Sequence, residues 1–367
     1  MSLSGYRPYS ATRHGRALLT VLALTALTAG CATSSGRSAG AFAPIPTTGG
    51  TAATELRLGY FPNVTHATAV YGDAAGVFTA ALGRTRLTTQ TFNAGPSAVE
   101  ALFAGAVDAA YLGPNPAVNA FAKSQGEAVR IVAGATSGGA SLVVRPGITD
   151  AKQLAGKRIA TPQTGGTQDV ALRHYLSEAG YEVDRAGAGD VTVLAQDNAI
   201  TLTTFLAGEI DGAWVPEPWA SRLVLEGGGT VLVDEKDLWP GGRYVTTHLI
   251  VRTDFLREHP QTVRALIEGS VESNRQINAD PANAKTVVNS ALERLTGKPL
   301  PAATFDRAFA QLELTDDPIA SSLATSAGHA VTAGLLEEID LRGIYALTLL
   351  REVLGSAVDD AGLGGSS

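Results

Sequence analysis

Short apolar blocks of strand length alternate with amphipathic stretches of helix length along most of this chain. Strands are expected over residues 56–61, 86–92, 107–112, 129–133 and 141–145, with helical patterning over 66–81 and again after residue 96. Ser97 and Glu100 have the spacing of a capping box, in which the serine accepts an amide proton and the glutamate reaches back to the cap. Asn115 and Pro116 fit the N-cap and first position of the next helix. Ser137 falls in a small-residue loop, 134–140, between two strands. A second series of strands is expected at 157–161, 191–194 and 210–215, with helices over 168–179 and 199–207 stopped by Gly180 and Gly208. The block 245–252 reads as a strand returning to the first series, and the remainder is helical, punctuated by prolines. Strands and helices in this alternation define an α/β architecture.

The two series share an internal echo. Phe103-Ala104-Gly105-Ala106-Val107-Asp108-Ala109-Ala110-Tyr111-Leu112 matches Leu206-Ala207-Gly208-Glu209-Ile210-Asp211-Gly212-Ala213-Trp214-Val215 in residue type and order. Each ends a helix on glycine, places an aspartate before a strand, closes the strand near an aromatic, and runs into a Pro-x-Pro turn. The turns are Pro114-Asn115-Pro116 and Pro216-Glu217-Pro218. Two lobes built alike would each present this turn at the carboxyl end of a strand, where open α/β sheets take ligands. A bilobal protein with a central cleft follows.

Composition narrows the class. The 367 residues are 45% hydrophobic and 17% charged, enough apolar surface for a substantial core. A net charge of -7 without basic runs argues against nucleic acid as partner. At the N-terminus, Arg7, Arg13 and Arg16 precede an apolar stretch over 17–29, too short for an ordinary membrane span and of secretory type. Leu27-Thr28-Ala29-Gly30-Cys31 resembles a bacterial lipobox, with the leucine one place further from the cysteine than usual. Cys31, the single cysteine, is the expected lipidation site and excludes an intrachain disulfide. Removing residues 1–30 leaves 25 basic against 35 acidic residues, a net charge of -10. The Ser/Gly/Thr/Ala/Pro-rich segment 31–54 reads as a flexible tether holding the protein outside the membrane.

Four stretches together resemble the NitT/TauT class of binding proteins, which includes aliphatic-sulfonate and thiamine-precursor-like receptors. They are Leu58-Gly59-Tyr60-Phe61-Pro62-Asn63, Ala94-Gly95-Pro96-Ser97, Tyr111-Leu112-Gly113-Pro114-Asn115, and Ala213-Trp214-Val215-Pro216-Glu217-Pro218-Trp219. The resemblance implies a two-lobed type II periplasmic-binding-protein fold with a two-crossing hinge. It implies a monomeric receptor, without cofactor, that delivers solute to an ABC permease and its ATPase. Lobe 1 is expected over 55–143 and 246–361 and lobe 2 over 144–245, with crossings near 143–144 and 245–249.

Candidate ligand contacts divide by chemistry. Thr164, Gly165 and Thr167 lie on a loop opening a helix, where free amides, hydroxyls and the positive dipole end converge. Gly95 and Ser97 repeat this in the first lobe, and Asn63, Asn115 and Ser137 add neutral polar groups. Such donors suit an organic anion, foremost a sulfonate or taurine-like compound, though each loop reads equally as turn chemistry. Nitrate and thiamine or riboflavin precursors stay open. Phe61 and Trp214 are candidates to clamp the organic part, with Tyr60, Tyr111 and Trp219 nearby. Glu217 fits either an amine contact or a helix cap. A rival class is a pyrimidine-precursor biosynthetic enzyme of the same fold. Against an enzyme, the histidines lack metal-ligand spacing and no nucleophile motif is present; His66 and His248 could reach the cleft but read foremost as hydrogen-bonded structural residues.

Overall fold

A computed structural model of the chain describes residues 49–364. The signal segment, Cys31 and most of the tether lie outside the described residues. The first sheet begins with β1 (Glu55–Tyr60), β2 (Arg86–Thr91), β3 (Ala109–Leu112) and β4 (Val129–Gly138). The second holds β5 (Ala140–Val144), β6 (Arg158–Thr161), β7 (Thr192–Ala195), β8 (Gly212–Pro216) and β9 (Thr230–Asp234). β10 (Val245–Arg252) and the edge strand β11 (Leu312–Leu314) return to the first sheet.

The strand orders are β11-β4-β10-β3-β1-β2 and β7-β6-β8-β5-β9. Leaving β11 aside, the two sheets have one topology. A central strand, β1 or β6, is flanked by two parallel partners, and an antiparallel strand follows, β10 or β5. Beyond it lies a strand antiparallel to that one, β4 or β9. In both sheets the antiparallel strand is the one that has just arrived from the other sheet.

The first transfer takes place at Gly138 and Gly139, both with φ near +80°. Two successive left-handed residues let the backbone leave one sheet and enter the next in a single step, which side chains with a Cβ resist. The crossing therefore falls ahead of the expected 143–144, and the expected loop at 134–140 is mostly strand, because β4 continues through Gly138. The second transfer runs through 235–244, between β9 and β10.

Helices cover the sheets: α1 (Ala67–Ala74), α2 (Val77–Leu82), α3 (Gly95–Phe103) and α4 (Pro114–Lys123) in the first lobe, then α5 (Thr167–Glu178), α6 (Asn198–Leu206) and α7 (Trp219–Leu225) in the second. The C-terminal part adds α8 (Thr253–Glu258), α9 (Pro260–Ala279), α10 (Pro281–Thr296), α11 (Ala302–Phe309), α12 (Ala320–Thr332) and α13 (Thr348–Leu354). The single helix expected over 66–81 divides at Gly76, whose φ of +75° cannot continue an α-helix. β3, β4 and β5 are buried along their whole length, as strands covered on both faces must be. α12 packs on both α4 and α5, where Val170, Ala330 and Leu335 form an apolar cluster. The C-terminal segment is thus attached to both lobes.

Candidate functional site

The carboxyl ends of the parallel strands in both sheets open onto one cleft. Phe61 and Asn63 follow β1, Asn93, Ala94 and Gly95 follow β2, and Gly113 and Pro116 follow β3. From the other lobe come Pro162, Gln163, Gly166, Thr167 and Gln168 after β6, Asn198 after β7, and Pro216 at the end of β8. Thr65, His66 and Thr246 complete the wall. This is the position expected for a ligand in an open α/β sheet, here duplicated and turned face to face.

The helix starts around the cleft share a property. Asn63 precedes the 3-10 turn Val64–His66, Ala94 precedes α3, Gly113 α4, Gly166 α5 and Asp197 α6, and none of these N-cap side chains accepts a backbone amide of its helix, the Asn63 side-chain carbonyl accepting from the Thr65 hydroxyl instead. Away from the cleft, Asp150, Asp234 and Asp280 accept from the first-turn amides of their helices, while α9, α11 and α12 also start without a side-chain cap. The amides at the cleft are left for something other than a side-chain cap. Each lobe contributes several, together with the positive end of the helix dipole.

The lobes touch across this space. Asn119 Nδ2 donates to the Gly165 carbonyl at 3.3 Å, and Asn93 Nδ2 to Asp197 Oδ2 at 3.4 Å. A methyl group on Gly113 would lie 2.2 Å from Thr167 Oγ1, so glycine at 113 is what lets the two lobes meet here.

Of the residues singled out from sequence, Phe61, Asn63, Gly95 and Thr167 line the cleft. Gly95 has a packing reason as well, because a Cβ there would meet Pro116 Cγ at 2.2 Å. The others are placed elsewhere. Ser97 forms no capping box, since α3 starts two residues earlier, and its hydroxyl donates to the Ala94 carbonyl. Asn115 is inside α4 and exchanges bonds with Ser326, donating to its carbonyl at 3.1 Å and accepting from its hydroxyl at 2.8 Å. Ser137 is buried on β4 and accepts from the Tyr244 amide. Thr164 is exposed and does not line the cleft. Gly165, with φ +74°, donates its amide to Asp169 Oδ2 and shapes the loop without lining the space.

Trp214 requires the largest correction. Its ring is fully buried in the core of the second lobe, edge-on to Tyr175, and its Nε1–H donates to Glu235 Oε2 at 2.7 Å. Position along β8 explains this: Pro216 stands at the carboxyl end of the strand and borders the cleft, whereas Trp214, two residues back on the same face, lies within the core. Tyr60 and Tyr111 are likewise core residues, bonded to Asp73 and Ser270. Trp219 packs beneath the Arg222 guanidinium. Phe61 alone among these five aromatics lines the cleft. Glu217 serves as the cap: its carboxylate accepts from the Ser221 amide and hydroxyl, both at 3.0 Å, and burial raises its pKa to about 7.

One contributor escaped the sequence reading. Asp169, wholly buried at the start of α5, accepts from the Gly165 amide, the Thr161 hydroxyl and Arg173 Nε, and so fastens the donor loop. Its signal was an acid in the first turn of a helix opened by glycines. His66 lines the cleft, stacked on Phe61 with ring centroids 4.2 Å apart. Burial lowers its pKa to about 3. The lining therefore carries no formal charge: it contains no Lys, Arg, Asp or Glu, and its one histidine is neutral. Among the described residues there is no group of three or more His, Cys, Asp or Glu placed to hold a metal ion.

Two α/β sheets of matching topology around such a cleft make up the type II periplasmic-binding-protein fold. The alkanesulfonate-binding protein SsuA of Xanthomonas axonopodis pv. citri, bound to MOPS, superposes with a TM-score of 0.65 at 22% identity, covering 78% of this chain and 96% of that one. The nitrate-binding protein NrtA of Synechocystis superposes at 0.71 with 16% identity, covering 86% and 93%. The chain belongs to the NMT1-like family, whose model matches residues 49–292. This is a family of binding proteins rather than of enzymes. The taurine-binding periplasmic protein of Escherichia coli K12 is 30% identical over 211 residues, 57% of this chain and 63% of that protein. The matched region thus spans somewhat less than two thirds of that relative.

Proposed function

We propose that this protein is the extracytoplasmic solute receptor of an ABC importer, and that it closes on a small organic anion, foremost an aliphatic sulfonate or taurine-like compound. The observation that carries this reading is a cleft of neutral donors at helix starts that lack side-chain caps, supplied by both lobes. A sulfonate spreads its charge over three oxygens, and several amide and hydroxyl donors satisfy them without a buried lysine or arginine. In the ligand-free state an unpaired cation there would be costly. Phe61 supplies an apolar surface for the organic part. Similarity to proteins described as taurine- and alkanesulfonate-binding points the same way. The signal segment and Cys31 support export and lipid anchoring, and release to a permease powered by a separate ATPase completes the role.

A thermal-shift panel tests this directly. 2-Aminoethanesulfonate and short alkanesulfonates are expected to stabilise the protein, by about 2.7 kcal/mol at a hundredfold excess over Kd, and to be recovered unchanged. Stabilisation by nitrate or a pyrimidine with no response to any sulfonate would replace the ligand class. Conversion of the solute would replace the receptor reading with the enzymatic one.

A further inference from the structure

We infer that His66 is a ligand-positioning residue of the cleft, acting as a neutral hydrogen-bond donor through Nε2–H. The inference rests on the cleft being the ligand site, and not on the ligand being a sulfonate.

His66 ends the 3-10 turn Val64–His66 and is 2% exposed, yet it forms part of the cleft wall. Two contacts fix the ring. It stacks on Phe61, and its Nδ1 accepts the Phe61 amide proton at 3.3 Å. A ring nitrogen that accepts from an amide carries no proton of its own, so a neutral imidazole in this place holds its hydrogen on Nε2. The same backbone amide thus sets the tautomer and holds the ring by its Nδ1 edge, leaving Nε2–H as the free donor of the inference. No acidic side chain acts on the ring, and burial alone governs its proton affinity, holding it neutral throughout the physiological range.

This donor has a consequence for recognition. An imidazolium would attract any anion, more strongly as the pH falls. A fixed N–H instead demands an acceptor atom at one place, and costs little when the cleft is empty. The acceptor end of the solute faces His66, and an ammonium group cannot occupy that position.

The experiment combines NMR with two variants. Long-range ¹H–¹⁵N spectra of the histidines are expected to show His66 with a bare Nδ1 and a protonated Nε2, and the Nε2–H resonance to move when the best solute of the panel is added. His66→Phe, which keeps the stack and loses the donor, should weaken that solute at least tenfold. His66→Gln, which restores an N–H, should recover part of the loss. Affinity of the unaltered protein should change less than threefold between pH 5.5 and 8. A proton on Nδ1, an Nε2–H indifferent to ligand, or affinity rising tenfold toward pH 5.5 would overturn the inference. The spectra decide even if His66→Phe fails to fold. Should a solute other than a sulfonate bind and move Nε2–H, the inference stands while the proposed ligand class falls.

Discussion

The two lobes are alike at one end of their sheets and different at the other. In the first, Asp108 accepts the Arg57 amide at 2.9 Å and donates its own amide to the Arg57 carbonyl at 2.8 Å. In the second, Asp211 makes the same pair of bonds with Arg158, at 2.9 and 2.8 Å. Each aspartate carbonyl then accepts from the strand that arrives across the hinge, from Arg252 in one lobe and Arg145 in the other. At the next aromatic position, Tyr111 and Trp214 are both buried and both donate to a polar group, Ser270 Oγ and Glu235 Oε2. Beyond it the resemblance stops. The first lobe leads through Gly113 straight into α4, whereas the second turns at Pro216 and buries Glu217 as a cap. The shared part joins strands, and the divergent part borders the cleft. Repetition here marks scaffold, and departure from it marks the site.

The largest effect expected from this comparison lies at its matched aromatics. Trp214→Ala should cost about 3–5 kcal/mol of stability, since it empties the second core and leaves the Glu235 carboxyl without its indole donor. Tyr111→Phe removes one hydroxyl bond and should cost about 1 kcal/mol. Denaturant unfolding of both variants checks the ranking. A Trp214→Ala protein as stable as the parent, but weak for ligand, would return the tryptophan to the site and break the equivalence.

The buried titratable groups of the two lobes have opposite pH dependence. Burial holds His66 at about 3 and His248 at about 4. Between those values and about 6.5 the unfolded chain binds protons that the folded first lobe does not, so acid destabilises it. Burial raises Glu217 and Glu235 of the second lobe to about 7. From about 4.5 to 7 the folded state holds protons the unfolded chain has lost, so stability present at low pH is lost as pH rises. Each group contributes up to about 1.4 kcal/mol per pH unit inside its window. Asp316, also raised by burial, offsets part of the first lobe's slope. Hydrogen exchange corrected for intrinsic rates should show protection of β6 and β8 falling relative to β1 and β3 from pH 5 to 7.5. Parallel changes in both lobes would refute the contrast.

What was legible in the sequence follows the same division. Strand and helix order, the duplicated aspartate, and the cleft between matching lobes could be read because they depend on periodicity and on glycine stops such as Gly105 and Gly208, both in left-handed conformation. Phe61, Asn63, Gly95 and Thr167 could be found because they stand at strand-to-helix junctions. The depth of a side chain along a fully buried strand could not. An unbroken apolar run does not show how far the core extends toward the strand's end, and Trp214 lies two residues short of the cleft-lining Pro216. Ser97 and Asn115 look like caps locally, but packing starts each helix earlier, at Gly95 and Pro114. His66 carried no pattern, since its role depends on the amide of Phe61 and on a cleft formed by residues over a hundred positions away.

The contact between Gly113 and Thr167 gives the most direct test of how the lobes cooperate. Gly113 has φ of -77°, a value alanine adopts without strain, so its replacement should leave each lobe intact. The added methyl, however, would lie 2.2 Å from Thr167 Oγ1 and 3.3 Å from Thr167 Cβ across the cleft. Gly113→Ala should therefore hold the lobes apart and lower ligand affinity about tenfold, or about 1.4 kcal/mol, with the unfolding midpoint of the ligand-free protein nearly unchanged. Thr167→Ala alone removes a cleft hydroxyl and should also weaken binding. In the double variant the small side chain at 167 makes room for the methyl at 113, so the two losses should sum to less than their separate effects. Full additivity, or Gly113→Ala binding as the parent does, would mean that the lobes need not meet at this point, and that the donors of each lobe hold the solute without closing on it.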